Sequence, residues 1–142
     1  MSTSQTVGFQ WTLVIGMADE PGPASWLRDV GVRLDVIRKL PPNWDNEGAE
    51  PINDRILDVA SELLRPLRWS GVPVPRIAPV RGGGIQFEWR VYGRELEVEI
   101  LPDGSVEYLR VDESGGAEED CLPYAPGAEV QGLVRWLLEG RC

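Results

Sequence analysis

Glu95, Glu97 and Glu99 recur at every second position, and Glu88 precedes them by a few residues. In an extended strand a period of two puts the first three on one side. A tight hairpin at Gly93 would bring Glu88 across from them. Two carboxylates so placed can act as acid and base in a hydrolytic reaction, and several can ligate a hard cation. Acid–base work, however, requires an environment that drives two pKa values apart, and nothing in the sequence marks one. Arg90 and Arg94 stand where they can partly balance the row. A solvated sheet face with a charge-guarded edge explains the same pattern. Glu88, Glu97 and Glu99 are therefore expected to be exposed to solvent and to hold no metal.

Other catalytic chemistry is thin. The chain has no histidine, which removes the commonest general base and transition-metal ligand. Its two cysteines, Cys121 and Cys142, have no metal spacing and make no disulfide framework. The acidic neighbours of Cys121 would raise its pKa and dull its reactivity. Gly82-Gly83-Gly84 has neither the P-loop lysine nor the dinucleotide spacing, and it precedes a strand pattern rather than a helix. No catalytic residue, no cofactor and no metal ligand is assigned, and the chain reads as a non-enzyme.

The segment Leu40-Pro-Pro-Asn-Trp-Asp-Asn-Glu-Gly-Ala-Glu-Pro-Ile52 is dense in residues that fix backbone shape. One reading makes it a recognition loop with Trp44 as aromatic anchor. The favoured reading is structural. Trp44 fills the gap between helices and sheet, Asn43 and Asp45 bond nearby backbone groups, and Gly48 supplies an unusual dihedral. Six tryptophans are many for 142 residues; most are expected in the core, with one or two marking a protein contact.

The elements that would position these residues follow from hydrophobic period. Phe9, Trp11, Leu13 and Ile15 alternate with mostly polar neighbours and predict a strand. Residues 1–7 read as a loose terminus. Ser25 is placed to cap a helix over 26–39, with Leu27, Val30, Leu34 and Ile37 on one face. Pro41 and Pro42 end it. Asn53 caps a second helix, Ile52 and Leu57 form a hydrophobic staple, and Pro66 ends or kinks that helix near Arg65. Short strands follow over 76–80, 85–92 and 95–100, a turn at Pro102-Asp103-Gly104, and a strand over 106–111. Residues 112–120 read as an acidic loop before a last short edge strand near 121–124. Val130, Leu133, Val134, Leu137 and Leu138 predict a terminal helix stopped by Gly140. The pattern is α+β: two N-terminal helices, an antiparallel meander of three to five strands, and a C-terminal helix packed on one sheet face.

Length bounds this to one domain over residues 1–142, with a core from about 25 to 140. Fourteen basic and twenty-three acidic side chains give a net charge of −9. Residues 76–142 carry seven basic and thirteen acidic groups, or −6, against −3 for residues 1–75. Such a surface repels phosphate backbones and disfavours direct nucleic-acid binding. No run is long enough to span a bilayer, and no basic segment precedes the apolar stretch at 9–18. A cytoplasmic protein without membrane contact is expected.

Two motifs taken together carry a resemblance. They are Leu40-Pro-Pro-Asn-Trp-Asp-x-x-Gly-Ala-x-Pro-Ile and Gly83-Gly-Ile-Gln-Phe-Glu-Trp, the latter followed by Glu-Leu-Glu-Val-Glu-Ile-x-Pro-Asp-Gly104. They resemble those of a group of small, largely uncharacterised bacterial proteins. That group has a leucine-proline-x-asparagine-tryptophan-aspartate loop between helices and a glycine-rich glutamate-tryptophan strand. The likeness covers roughly residues 30–110, and Asn46 stands where the pattern has glycine. The resemblance implies a bacterial, soluble accessory protein and carries over no catalytic residue.

The leading functional expectation is a small protein-binding module: an accessory subunit, regulator, immunity protein or antitoxin. Its partner would be a protein with a basic or apolar surface. Strand alternation gathers Gln86, Glu88, Arg90, Tyr92, Glu97 and Glu99 on the side away from the core, and these are the candidate contact residues. An enzyme or metal-dependent hydrolase using the glutamate face is the first alternative. A mimic of nucleic acid that occupies a basic groove is the second. The oligomeric state is left open.

Overall fold

Prolines and one capping asparagine set the bounds of the first two helices. The structure, a computed structural model, describes residues 22–140. Helix α1 spans Pro23–Arg38 and buries Trp26, Val30, Leu34 and Ile37. It begins earlier than the expected Ser25 cap. Gly22 precedes it, no side chain caps it, and proline stands in the first turn. Proline suits that place because its φ is already helical and its missing amide has no partner there anyway. Helix α2 spans Asp54–Leu64, and the Asn53 side chain accepts the Arg55 amide at 2.7 Å. Ile52 and Leu57 are both buried, as the staple requires. At Pro66 the chain tightens into a 3-10 turn, Arg65–Trp69, because proline cannot donate to the preceding helical turn.

Five strands follow: β1 (Arg76–Val80), β2 (Gly84–Val91), β3 (Arg94–Ile100), β4 (Val106–Val111) and β5 (Ala117–Cys121). They form one sheet in the order β1-β2-β3-β4-β5, every neighbouring pair antiparallel. The fold is therefore α+β, with the expected meander. Tyr92 and Gly93 join β2 to β3 with φ of 55° and 79°. Two central residues at positive φ make the turn whose twist matches that of the strands; Gly93 adopts it freely, and Tyr92 does so at a cost.

Two boundaries differ from the expectation. The last strand is Ala117–Cys121 and not 121–124, so the acidic residues 118–120 belong to a strand. The reason is local. The Asp112 carboxylate accepts the amides of Ser114 and Gly116 at 3.0 and 2.9 Å, and the Asp112 amide donates to the Gly116 carbonyl at 2.9 Å. That closes the loop early and returns the chain to the sheet. The expected strand at residues 9–15 lies outside the described residues, as does Cys142.

The helices lie on one face of the sheet. Ile85, Phe87, Trp89, Leu96, Val98 and Ile100 point into the shared core, where α3 (Gly127–Glu139) adds Val130, Leu133, Val134, Trp136 and Leu137. Among the described residues, no helix is long and apolar enough to cross a membrane.

Candidate functional site

Register determines which side chains reach the other face. Glu88 is paired with Glu97 and Gln86 with Glu99 across β2 and β3. Arg90 is paired with Glu95 on the same pair of strands. On the next strand Glu99 is paired with Glu107 and Glu97 with Leu109, and Glu107 is paired with Cys121 on β5. Since alternate residues share a face, these side chains form one continuous surface. No described element covers it.

The charges on this face are sorted. Toward β1, Arg76 pairs with Glu88 at 3.0 Å and Arg90 with Glu95 at 3.5 Å. The Gln86 amide also donates to Glu88, at 2.6 Å. Toward β5, Glu97, Glu99, Glu107 and Glu119 have no ion pair among the described residues. Glu97 feels this most. Partial burial, then repulsion from Glu88, Glu95 and Glu99, raises its pKa above the ordinary value. The expectation that Glu88, Glu97 and Glu99 are largely exposed to solvent is corrected, since all three are half-buried by their neighbours. A shallow depression of about 310 Å³ lies between Glu97, Glu99, Glu107, Leu109, Glu119 and Cys121. The Cys121 thiol contacts Glu107 at 3.8 Å, and its pKa is pushed up by desolvation and by Glu107 and Asp120. Among the described residues, no group of three or more acidic or cysteine side chains is arranged to hold a metal ion.

Two residues expected at this face lie elsewhere. Tyr92 sits in the hairpin turn, 72% exposed, rather than on the strand face. The alternation stops at Val91, where β2 ends. Arg94, expected to balance the glutamates, points the opposite way. It is 7% exposed, on the same side of β3 as Leu96 and Val98. Its Nε donates to the Leu137 carbonyl at 2.8 Å, one terminal nitrogen to the Leu138 carbonyl at 3.2 Å, and the other to Glu113 at 2.5 Å. A buried cation thus satisfies the carbonyls at the end of α3. Its even-numbered position, in step with Leu96, was the signal for this.

The loop at 43–50 is held by its own polar groups. Asn43 Oδ1 accepts the Gly48 amide at 2.6 Å, and Asp45 Oδ1 accepts the amides of Glu47 and Ala49 at 2.9 and 3.0 Å. Those amides and the nearby guanidinium hold the Asp45 carboxyl below the usual range. Asn43, Asn46 and Gly48 have φ of 63°, 62° and 87°. From the turn between β1 and β2, Arg81 reaches Asp45 at 3.4 Å and Glu47 at 3.3 Å, and it also bonds the Glu47 carbonyl. Trp44 is half-buried and outside the buried core cluster; its indole donates to the Glu50 carbonyl at 2.8 Å. The ring braces the loop from within.

Of the other tryptophans, Trp26, Trp89 and Trp136 are buried, whereas Trp69 is 69% exposed. No protein-family model, no curated protein and no solved structure matches this chain.

Proposed function

We propose that this protein is a small binding module that holds a basic partner protein on its uncovered sheet face, as an accessory or regulatory subunit. One observation carries the reading: the carboxylates of that face are crowded, and Glu97, Glu99, Glu107 and Glu119 have no ion pair among the described residues. Glu97 is driven toward protonation by burial and by three glutamate neighbours. Lysine or arginine side chains from a partner would relieve that repulsion and gain charge-assisted hydrogen bonds. The half-buried stems and Leu109 provide apolar contact beneath the charges. Gln86, Glu88, Arg90, Glu97 and Glu99 are the contact residues of this reading, with Tyr92 at its border.

The test takes the full chain as bait, identifies its partner in extract of the source cell, and measures binding with both proteins purified. Glu97→Lys combined with Glu99→Lys should leave the melting temperature near that of the parent and slow association at least about tenfold, and added salt should slow the parent's association in the same sense. A complex insensitive both to salt and to the double reversal refutes the reading.

A further inference from the structure

The two edges of the sheet are not equivalent. Along a strand the backbone groups of successive residues point alternately to either side. At one end of the β4–β5 ladder the Leu122 amide donates to the Val106 carbonyl at 2.8 Å, and at the other the Asp112 amide donates to the Gly116 carbonyl at 2.9 Å. Within β5, then, Glu118 and Asp120 bond to β4. Ala117, Glu119 and Cys121 turn their amides and carbonyls outward. The Cys121 amide is taken by the Asp120 side chain at 2.8 Å. The amides of Ala117 and Glu119 have no partner among the described residues.

At the opposite edge, the Val80 carbonyl accepts the Gly83 amide at 3.0 Å. Val80, Ala78 and Arg76 therefore face β2, and Ile77 and Pro79 face outward. Proline has no amide to offer, so of the two outward residues of β1 only Ile77 could donate to a further strand. The edge of β5 has no such block.

We propose that the outer edge of β5 accepts an extended segment of a partner protein as a sixth strand, with basic side chains at alternate positions. This rests on the reading above that the partner is basic, and it specifies how that partner is held. An added strand would lay one set of side chains beside Glu119, Glu107 and the depression of about 310 Å³. The other set would lie beside Asp120 and Glu118, the latter already bonded to Tyr108 and Arg110. The carboxylates repel an acidic strand and attract a cationic one, which favours the cationic strand over a neutral one as well. A second copy of this chain is a poor occupant, because pairing β5 with itself sets carboxylates against carboxylates. Residues 9–15 of the same chain contain no basic side chain and match the edge no better.

The probe is a short end-blocked peptide alternating arginine with valine, titrated against the full chain. Its partner probe is the same peptide N-methylated at alternate backbone nitrogens, which keeps the charge and removes the edge bonds. Methylation should weaken binding about tenfold. Glu119→Pro should do likewise with an unchanged melting temperature, since the amide it removes has no partner among the described residues. Ala117→Pro removes the other outward amide and serves if Glu119→Pro disturbs the fold. Absence of binding overturns the proposal. So does equal binding of the two peptides, unchanged binding by both proline variants, or equal binding of a threonine–valine peptide. Binding that ignores methylation and proline but is lost in Glu97→Lys with Glu99→Lys overturns the edge mode and leaves the acidic face standing. The converse pattern overturns the face and leaves the edge.

Discussion

Glu97 shows how one side chain can work against the fold that holds it. Its folded pKa lies above the ordinary glutamate value of 4.5, so its ionised form lowers stability at neutral pH. That penalty is relieved as pH falls through the folded pKa. Glu97→Gln is expected to stabilise the protein by about 0.5 kcal/mol at pH 7, the scale of a cross-strand like-charge contact. The gain should vanish below pH 4.5, and paired urea titrations at both pH values will measure it. Trp44 presents the opposite case, a large ring whose weight depends on where it sits. A core plug would cost about 3–5 kcal/mol on truncation. A half-buried ring with one indole hydrogen bond supports a smaller figure, and Trp44→Ala is expected to cost about 2 kcal/mol. Phe87→Ala, at a fully buried position, should cost about 3–5 kcal/mol. Equal losses in the two variants would show that Trp44 carries core weight after all.

At the scale of elements, Arg94 joins three parts that are distant in sequence: the β2–β3 turn, the β4–β5 loop and the end of α3. Its guanidinium serves two helix carbonyls and one carboxylate. Arg94→Ala removes the guanidinium donor from all three acceptors and should cost about 2–3 kcal/mol. Amide exchange should accelerate most in the last turn of α3 and scarcely in β2. Arg94→Lys should recover part of the loss, because an ammonium reaches fewer acceptors than a planar fork. Uniform acceleration across the sheet would mean that Arg94 supports the whole core and not this junction.

For the whole molecule, pH dependence combines two opposed sets of carboxylates. Asp45, Asp103, Asp112, Glu113 and Glu118 are held below their ordinary values by hydrogen bonds, joined at all but Asp112 by a neighbouring arginine. Their contribution is present above the unfolded values of 3.8 and 4.5 and is lost as pH falls through the lower folded ones. Glu97 acts in the reverse sense at higher pH, and a net charge of −9 adds general repulsion that acid relieves. Stability should therefore hold or rise slightly as pH falls from 7 to 5, then drop below about pH 4. Denaturant midpoints across that range test the balance. A steady decline from pH 7 downward would show that the outer-face carboxylates are not crowded in solution.

Local rules made much of the fold legible in the sequence. Asn53 with Ile52 and Leu57, Pro66, Gly93 and Gly140 act within a few residues of themselves, so their consequences can be read without knowing the fold. Period-two alternation identified the apolar and polar sides of β2 and β3 for the same reason. Only the tertiary structure decided matters that depend on distant partners. Arg94 turns inward because the end of α3, more than forty residues away, supplies its acceptors. Trp44 stays out of the core because the loop folds around its own polar groups and is clamped by Arg81 from another turn. Alternation could place Glu97 among carboxylates, but their crowding depends on burial and on the register of adjacent strands. Those follow from packing the helices against the opposite face and leaving this one open.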